Sequence, residues 1–179
     1  MSDVIAKEHV QLLQKTLGEN SLQFFLKSNW GQNHTNYREN ILQALSLQLG
    51  LTDTSISHSL DLGGFAGICN NNKKIGFDVE LFDRVTAVIA KRVCANASEF
   101  NDAPSAAHLW VAKESAFKAL KGENQPKVLS EIAVHSWQKK NSQIETFKIK
   151  SDCVNPNSES IGVTFLQFPF IFGVFLFLA

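Results

Sequence analysis

The stretch from Phe165 to Ala179 restricts the fold of this 179-residue chain more than any other, because it is almost wholly apolar. Phe, Ile and Val dominate it, and these residues favour a pleated strand. A helix that crosses a bilayer needs about 20 apolar residues. This run is shorter and is interrupted by Gln167 and Pro169, which argues against a membrane anchor. In a strand over 170–178, Phe170, Phe172, Val174, Leu176 and Leu178 share one face, and Ile171, Phe175 and Phe177 the other. Both faces must then be covered by other parts of the chain.

Enough apolar material is available: 44% of the residues are hydrophobic and fourteen are phenylalanine. The length suits one domain or two small, intimately packed halves. Seventeen basic residues balance seventeen acidic ones, so no global charge supports binding to nucleic acid or to a membrane surface, and any anion site must be local. Cys69, Cys94 and Cys153 are odd in number and widely spaced, which argues against a disulfide framework or a zinc knuckle and suits a reducing cytoplasm. The first eight residues carry acidic groups and no apolar core of signal-peptide length, so a cytoplasmic location is expected.

Apolar residues at Val4, Ile5, Leu12, Leu13 and Leu17 recur at helical spacing, with Gly18 as a C-cap. The segment 21–28 is a short helix or strand, and 30–36 is loop. A second helix is expected over about 35–49, with Ile41, Leu42, Leu45 and Leu49 as its apolar set and Gly50 ending it. From Thr54 the period becomes two. Strands are expected over 54–59, 64–70 and 74–81, joined by turns at 61–64 and 70–73 into an antiparallel meander. A helix from about Val85, with Val88, Ile89 and Val93, leads through a polar segment with Pro104 into a helix around 110–120. Strands return over 128–135, 144–150, 161–168 and 170–178. The expected class is α+β.

Three pieces carry chemistry. In the strand from Ile75 to Leu81, the apolar residues point one way and Gly76, Asp78 and Glu80 the other, with the two carboxylates about 7 Å apart. Paired carboxylates without His or Cys suit Mg²⁺, which takes one or two protein carboxylates and completes its shell with water and phosphate oxygens; otherwise they form an exposed polar face. On the helix, Lys113 falls between one apolar arc of Leu109, Ala112, Ala116 and Leu120 and another of Trp110 and Phe117. A lysine there either meets an anionic ligand, beside Glu114 and Lys118, or snorkels to water. Finally, Ser57, His58 and Ser59 could donate to a phosphate near the Asp78 strand, although a lone histidine is more often a surface residue.

Together the pieces resemble the 4′-phosphopantetheinyl transferase superfamily. The pattern of that family is a Ser-His-Ser strand, a G-x-D-x-E strand and a helix carrying W-x-x-K-E-x-x-x-K. Here these are Ser57-His58-Ser59, Gly76 to Glu80, and Trp110 to Lys118, in the same order and spacing, and the resemblance runs from about Thr54 to Val134. It implies transfer of phosphopantetheine from coenzyme A to a serine of an apo acyl or peptidyl carrier protein, with Mg²⁺ held on the pyrophosphate by Asp78, Glu80 and Glu114. Lys113 and Lys118 would contact phosphates, Ser57 and His58 would bind the phosphate groups of the coenzyme, and Glu114 or a metal-bound water would accept the serine proton.

Asp78 lies mid-chain, as in the two-half, surfactin-synthetase-activating members and unlike the short members that trimerise, which implies a monomer. The implied architecture is two similar, pseudo-symmetric α+β halves, each an antiparallel sheet packed against a long helix. Residues 1–72 would face the nucleotide and residues 73–179 would carry the metal and catalytic motifs. An internal echo of residues 37–45 in 112–120 agrees with this and implies that Arg38 reaches the nucleotide from the opposite half. There are two departures. The chain is shorter than typical two-half members, and Leu51-Thr52-Asp53-Thr54 stands where larger bacterial members commonly carry Gly-Lys-Pro. The alternative is a catalytically silent relative that binds carrier protein or nucleotide. An unrelated Mg²⁺-dependent phosphohydrolase would leave the Ser-His-Ser strand and Lys113 unexplained.

Overall fold

The computed structural model describes residues 5–122, 125–152, 154 and 160–178. Val4 of the first apolar set and Cys153 lie outside these residues. In chain order the elements are α1 (Lys7–Leu17), β1 (Gln23–Lys27), α2 (Tyr37–Ser46), β2 (Asp53–Ser59), β3 (Leu62–Ile68) and β4 (Lys73–Leu81). Then come α3 (Ala87–Arg92), α4 (Ala97–Asp102), α5 (Ala106–Ala119), β5 (Ala133–Lys139), β6 (Ile144–Lys150), β7 (Ile161–Gln167) and β8 (Phe170–Leu178). The fold is α+β, with two antiparallel sheets of order β1-β3-β2 and β4-β8-β7-β6-β5. No helix among the described residues is long and apolar enough to cross a membrane.

The apolar C-terminal run is β8, which lies between β4 and β7 with Ile171 to Leu176 all buried. On one face Phe172, Val174 and Leu176 join Ile75, Phe77 and Val79 of β4 and Leu13 and Leu17 of α1 in a common core. On the other, Phe175 packs with Leu109, Ala112 and Ala116 of α5 and with Phe147. Each such side chain contributes about 1.5–3 kcal/mol relative to exposure. The two covered faces of β8 therefore outweigh any single polar contact in fixing the sheet.

Helix α5 lies flush on this sheet because two glycines leave it room. A Cβ on Gly76 would stand 1.7 Å from the Ser115 carbonyl oxygen, and one on Gly173 would stand 2.3 Å from the Val111 carbonyl oxygen. Gly173 pairs with Asp78 across the β4/β8 ladder, so the helix presses on the strand beside the acidic residues. Ser105 caps α5 by accepting from the His108 N–H. On the first sheet, α2 packs through Ile41 against Trp30 and Phe65.

The structure departs from the sequence reading in several places: α2 ends at Ser46 and leaves Leu42 and Leu49 exposed, and the strand expected over 128–135 starts only at Ala133, after a 3₁₀ turn at Leu129–Glu131. The strands after Thr54 do not form a three-stranded meander: β2 and β3 pair, but the second edge of β3 is taken by β1, and β4 pairs with β8 in the other sheet. The helix expected from Val85 is a 3₁₀ turn at Phe82–Arg84 followed by two short helices, because Thr86 and Asn96 each accept an N–H as separate N-caps. Val88, placed in the apolar stripe of that helix, is exposed.

Candidate active site

Strand alternation and helical spacing converge on one cleft. Asp78 lies on the face of β4 that meets α5, and Glu114 and Lys118, four residues apart, share the helix face opposite it. Lys118 Nζ donates to Asp78 Oδ1 at 2.7 Å, to Ser57 Oγ at 3.1 Å and to the Phe77 carbonyl at 3.2 Å. Ser57 Oγ in turn donates to Asp78 Oδ1 at 2.7 Å and accepts from the Val79 N–H at 3.2 Å. The Ser57 hydroxyl is therefore fully engaged inside the protein. Burial pushes the Asp78 carboxyl above its ordinary value, against the opposing pull of Lys118 and Ser57.

Glu80 is gripped at one oxygen. Its Oε1 accepts from Ser59 Oγ, from the Leu81 N–H at 2.8 Å and, at 3.5 Å, from Arg84. Glu114 differs from both, making no hydrogen bond or ion pair among the described residues. Its pKa is raised first by burial and then by the charges of Asp78 and Glu80, with Lys118 opposing.

The opposite wall comes from α2 and β2. Arg38 Nε donates to Tyr37 Oη at 3.1 Å, and Tyr37 Oη lies 3.4 Å from His58 Nε2, with the two rings edge to face at 4.6 Å. Burial, then the Lys118 and Arg38 charges, lower the His58 pKa, with Asp78 and Glu80 opposing, which keeps the ring neutral at pH 7. Between the walls is a cavity of about 450 Å³ lined by Arg38, Leu42, Ser57, His58, Asp78, Glu114 and Lys118. The structure thus brings together seven of the eight residues singled out from the sequence: six line the cavity, and Glu80 acts on Asp78, His58 and Glu114 by its charge.

Lys113 is the exception: it faces the core, away from the expected contact with phosphate. Its side chain is completely buried, with Nζ 2.7 Å from Glu99 Oε1 and donating to the Leu129 and Ile132 carbonyls. It neither reaches the cavity nor snorkels to water, because Glu99, 1% exposed, supplies its counter-charge inside the core. Glu99 also accepts from the Val134 and Ala95 N–H groups, both at 2.6 Å. Asn96-x-x-Glu99 has the spacing of a capping box, the one sequence signal that could have drawn attention to Glu99. Tyr37, the link between Arg38 and His58, carries no such signal.

The donors fit a hard divalent cation in kind. Asp78 Oδ2, Glu80 Oε2 and both Glu114 oxygens have no protein donor among the described residues, and hard oxygens suit such an ion. Their side chains stand apart: among the described residues no three His, Cys, Asp or Glu side chains converge as a metal cage. Mg²⁺ needs only one or two protein carboxylates and completes its shell with water and phosphate oxygens, so such a cage is not required of this site.

The site is thus an acidic cluster with one bound lysine, facing an arginine across a cleft between two sheets. Residues 74–161, just under half of the chain, match the family model of the 4′-phosphopantetheinyl transferase superfamily. That segment contains Asp78, Glu80, Lys113, Glu114 and Lys118, whereas Arg38, Ser57 and His58 precede it. A search of curated proteins finds no match.

Proposed function

We propose that this protein transfers 4′-phosphopantetheine from coenzyme A to a serine of an apo acyl or peptidyl carrier protein. The observation that carries the reading is Glu114: a half-buried carboxylate with no protein donor among the described residues, one helical turn from the Lys118–Asp78 pair. A base poised in this way suits removal of a proton from a serine hydroxyl. The serine oxygen forms a bond to the phosphorus that bears pantetheine. The pyrophosphate P–O bond breaks, and its electron pair leaves with adenosine 3′,5′-bisphosphate. The serine proton goes to Glu114 or to water held beside it.

Phosphoryl transfer asks little covalent work of the protein, so positioning and charge neutralisation dominate. The Lys118 ammonium, held in the cleft by Asp78, Ser57 and the Phe77 carbonyl, adds positive charge beside the phosphates, and Arg38 and His58 hold the nucleotide from the other half. Asp78, Glu80 and Glu114 would hold Mg²⁺, which supplies Lewis-acid stabilisation of the pyrophosphate oxygens when bound. Residues 1–72 form the nucleotide side and 73–179 the catalytic side of a cytoplasmic monomer. Where the Gly-Lys-Pro element would bring a lysine, Asp53 instead accepts the Ile75 N–H at 2.7 Å and pairs with Lys121 at 3.3 Å. Nucleotide affinity rests correspondingly more on Arg38, and Arg38→Ala should raise the KM for coenzyme A about tenfold or more, the cost of one charged hydrogen bond. The silent-relative reading is disfavoured by Glu114, a half-buried carboxylate that makes no hydrogen bond or ion pair among the described residues. The test is chromatography of reaction mixtures with coenzyme A, Mg²⁺ and apo carrier: adenosine 3′,5′-bisphosphate should appear in step with carrier consumed. Its absence with every carrier tried would refute the transfer.

A further inference from the structure

The two sheets are joined at the edges of β2 and β4 by side chains in place of a backbone ladder. Ile75 N–H donates to Asp53 Oδ2 at 2.7 Å, Phe77 N–H to Ser55 Oγ at 2.9 Å, and Val79 N–H to Ser57 Oγ at 3.2 Å. The offset is 22 positions at every rung, so β2 and β4 run parallel, and an acceptor at every second residue of β2 meets an N–H at every second residue of β4. Ser55, Ser57 and Ser59 are all buried, so these bonds are shielded from water.

The fourth rung breaks the rule. By register, Leu81 N–H should meet Ser59 Oγ, yet it donates to Glu80 Oε1 at 2.8 Å, and Ser59 Oγ donates to that same oxygen. The Glu80 carboxylate is inserted into the clasp, one oxygen clamped between the two strands. The other oxygen has no protein donor among the described residues. One rung earlier, Ser57 does the same for Asp78 while accepting the Val79 N–H.

We propose that Ser59 is a positioning residue of the site: by clamping Glu80 Oε1 against the Leu81 N–H it orients the free Oε2 for the divalent cation, so the joint between the sheets also sets the metal ligand. This rests on the metal-dependent transfer proposed above. Ser55, whose hydroxyl serves only the backbone of Phe77, is the control: it belongs to the clasp but touches no carboxylate.

The test is Mn²⁺ binding in the presence of coenzyme A, followed by loss of the free-ion electron paramagnetic resonance signal, together with thermal melts. Ser59→Ala should weaken the Mn²⁺ midpoint about tenfold, ~1.4 kcal/mol, by loss of one hydrogen bond to a charged group. Ser55→Ala should lower the melting temperature and leave the midpoint unchanged. Because Ser59 acts through Glu80, the double variant Ser59→Ala/Glu80→Gln should bind no more weakly than Glu80→Gln alone. Should Ser59→Ala fail to fold, Ser59→Thr and Ser59→Val, equal in shape and differing in the hydroxyl, make the same comparison, with Thr the tighter. A wild-type midpoint in Ser59→Ala or Ser59→Val, or full additivity in the double variant, overturns the assignment. Failure of the wild-type protein to bind Mn²⁺ at all would instead remove the metal reading beneath it.

Discussion

Replacing Lys113 by Met separates a core ion pair from a substrate contact. The ammonium and the Glu99 carboxylate are 2.7 Å apart and at most 1% exposed. Removing one member of a buried pair costs about 3–5 kcal/mol, because the remaining charge is left uncompensated. Glu99 keeps two backbone donors, from Ala95 and Val134, which sets the expectation near the lower end, at about 3 kcal/mol. Met has nearly the volume of Lys, so little cavity penalty is added. For a protein of this size each kcal/mol moves the melting temperature by about 2–4 °C, which gives a fall of roughly 6–12 °C. The double variant Lys113→Met/Glu99→Gln should recover part of that loss, since it removes the stranded charge. The assay is a thermal melt by circular dichroism, paired with the KM for coenzyme A measured well below the transition. An unchanged melting temperature with a tenfold rise in KM would refute the core assignment and return Lys113 to the phosphates.

Other outcomes follow from the same geometry. Gly76→Ala drives a Cβ into the Ser115 carbonyl, so α5 must lift from β4, and a loss of at least about 2–3 kcal/mol in a denaturant titration is expected. Glu114→Gln should abolish transfer and leave the melting temperature within about 2 °C of wild type, because the carboxylate makes no hydrogen bond or ion pair among the described residues. His108 is held down to about 4 by burial, from an unfolded value of 6.5. Its contribution is therefore complete above pH 6.5 and lost as the pH falls towards 4. That loss is about 2 kcal/mol once the partial exposure of the ring is allowed for, and His108→Gln should flatten stability over that window.

Much of this is legible in the sequence because it depends on short-range periods. Alternation alone places Ile75, Phe77 and Val79 in the core and Asp78 on the opposite face, and the four-residue spacing of Glu114 and Lys118 puts both on one side of α5. The two apolar faces of the 170–178 strand announce a covered, central position. What escapes depends on partners distant in sequence. Lys113 is visibly misplaced on its helix, but its counter-charge sits on α4, and nothing local distinguishes a buried Glu99 from a capping residue in solvent. The alternation of Asp53, Ser55, Ser57 and Ser59 is readable as strand period. That its acceptors face the edge of β4 is not, because a meander of β2, β3 and β4 pairs the wrong edges. The link from Tyr37 to His58 bridges a helix and a strand 21 residues apart, a contact that no local pattern encodes.

The central claim is tested most directly by intact-protein mass spectrometry of apo acyl and peptidyl carrier proteins incubated with coenzyme A, Mg²⁺ and either the wild-type protein or Glu114→Gln. Wild type should add one phosphopantetheine-sized increment to a carrier and Glu114→Gln none. No increment on any carrier with wild type, or an equal increment with the variant, would contradict the account.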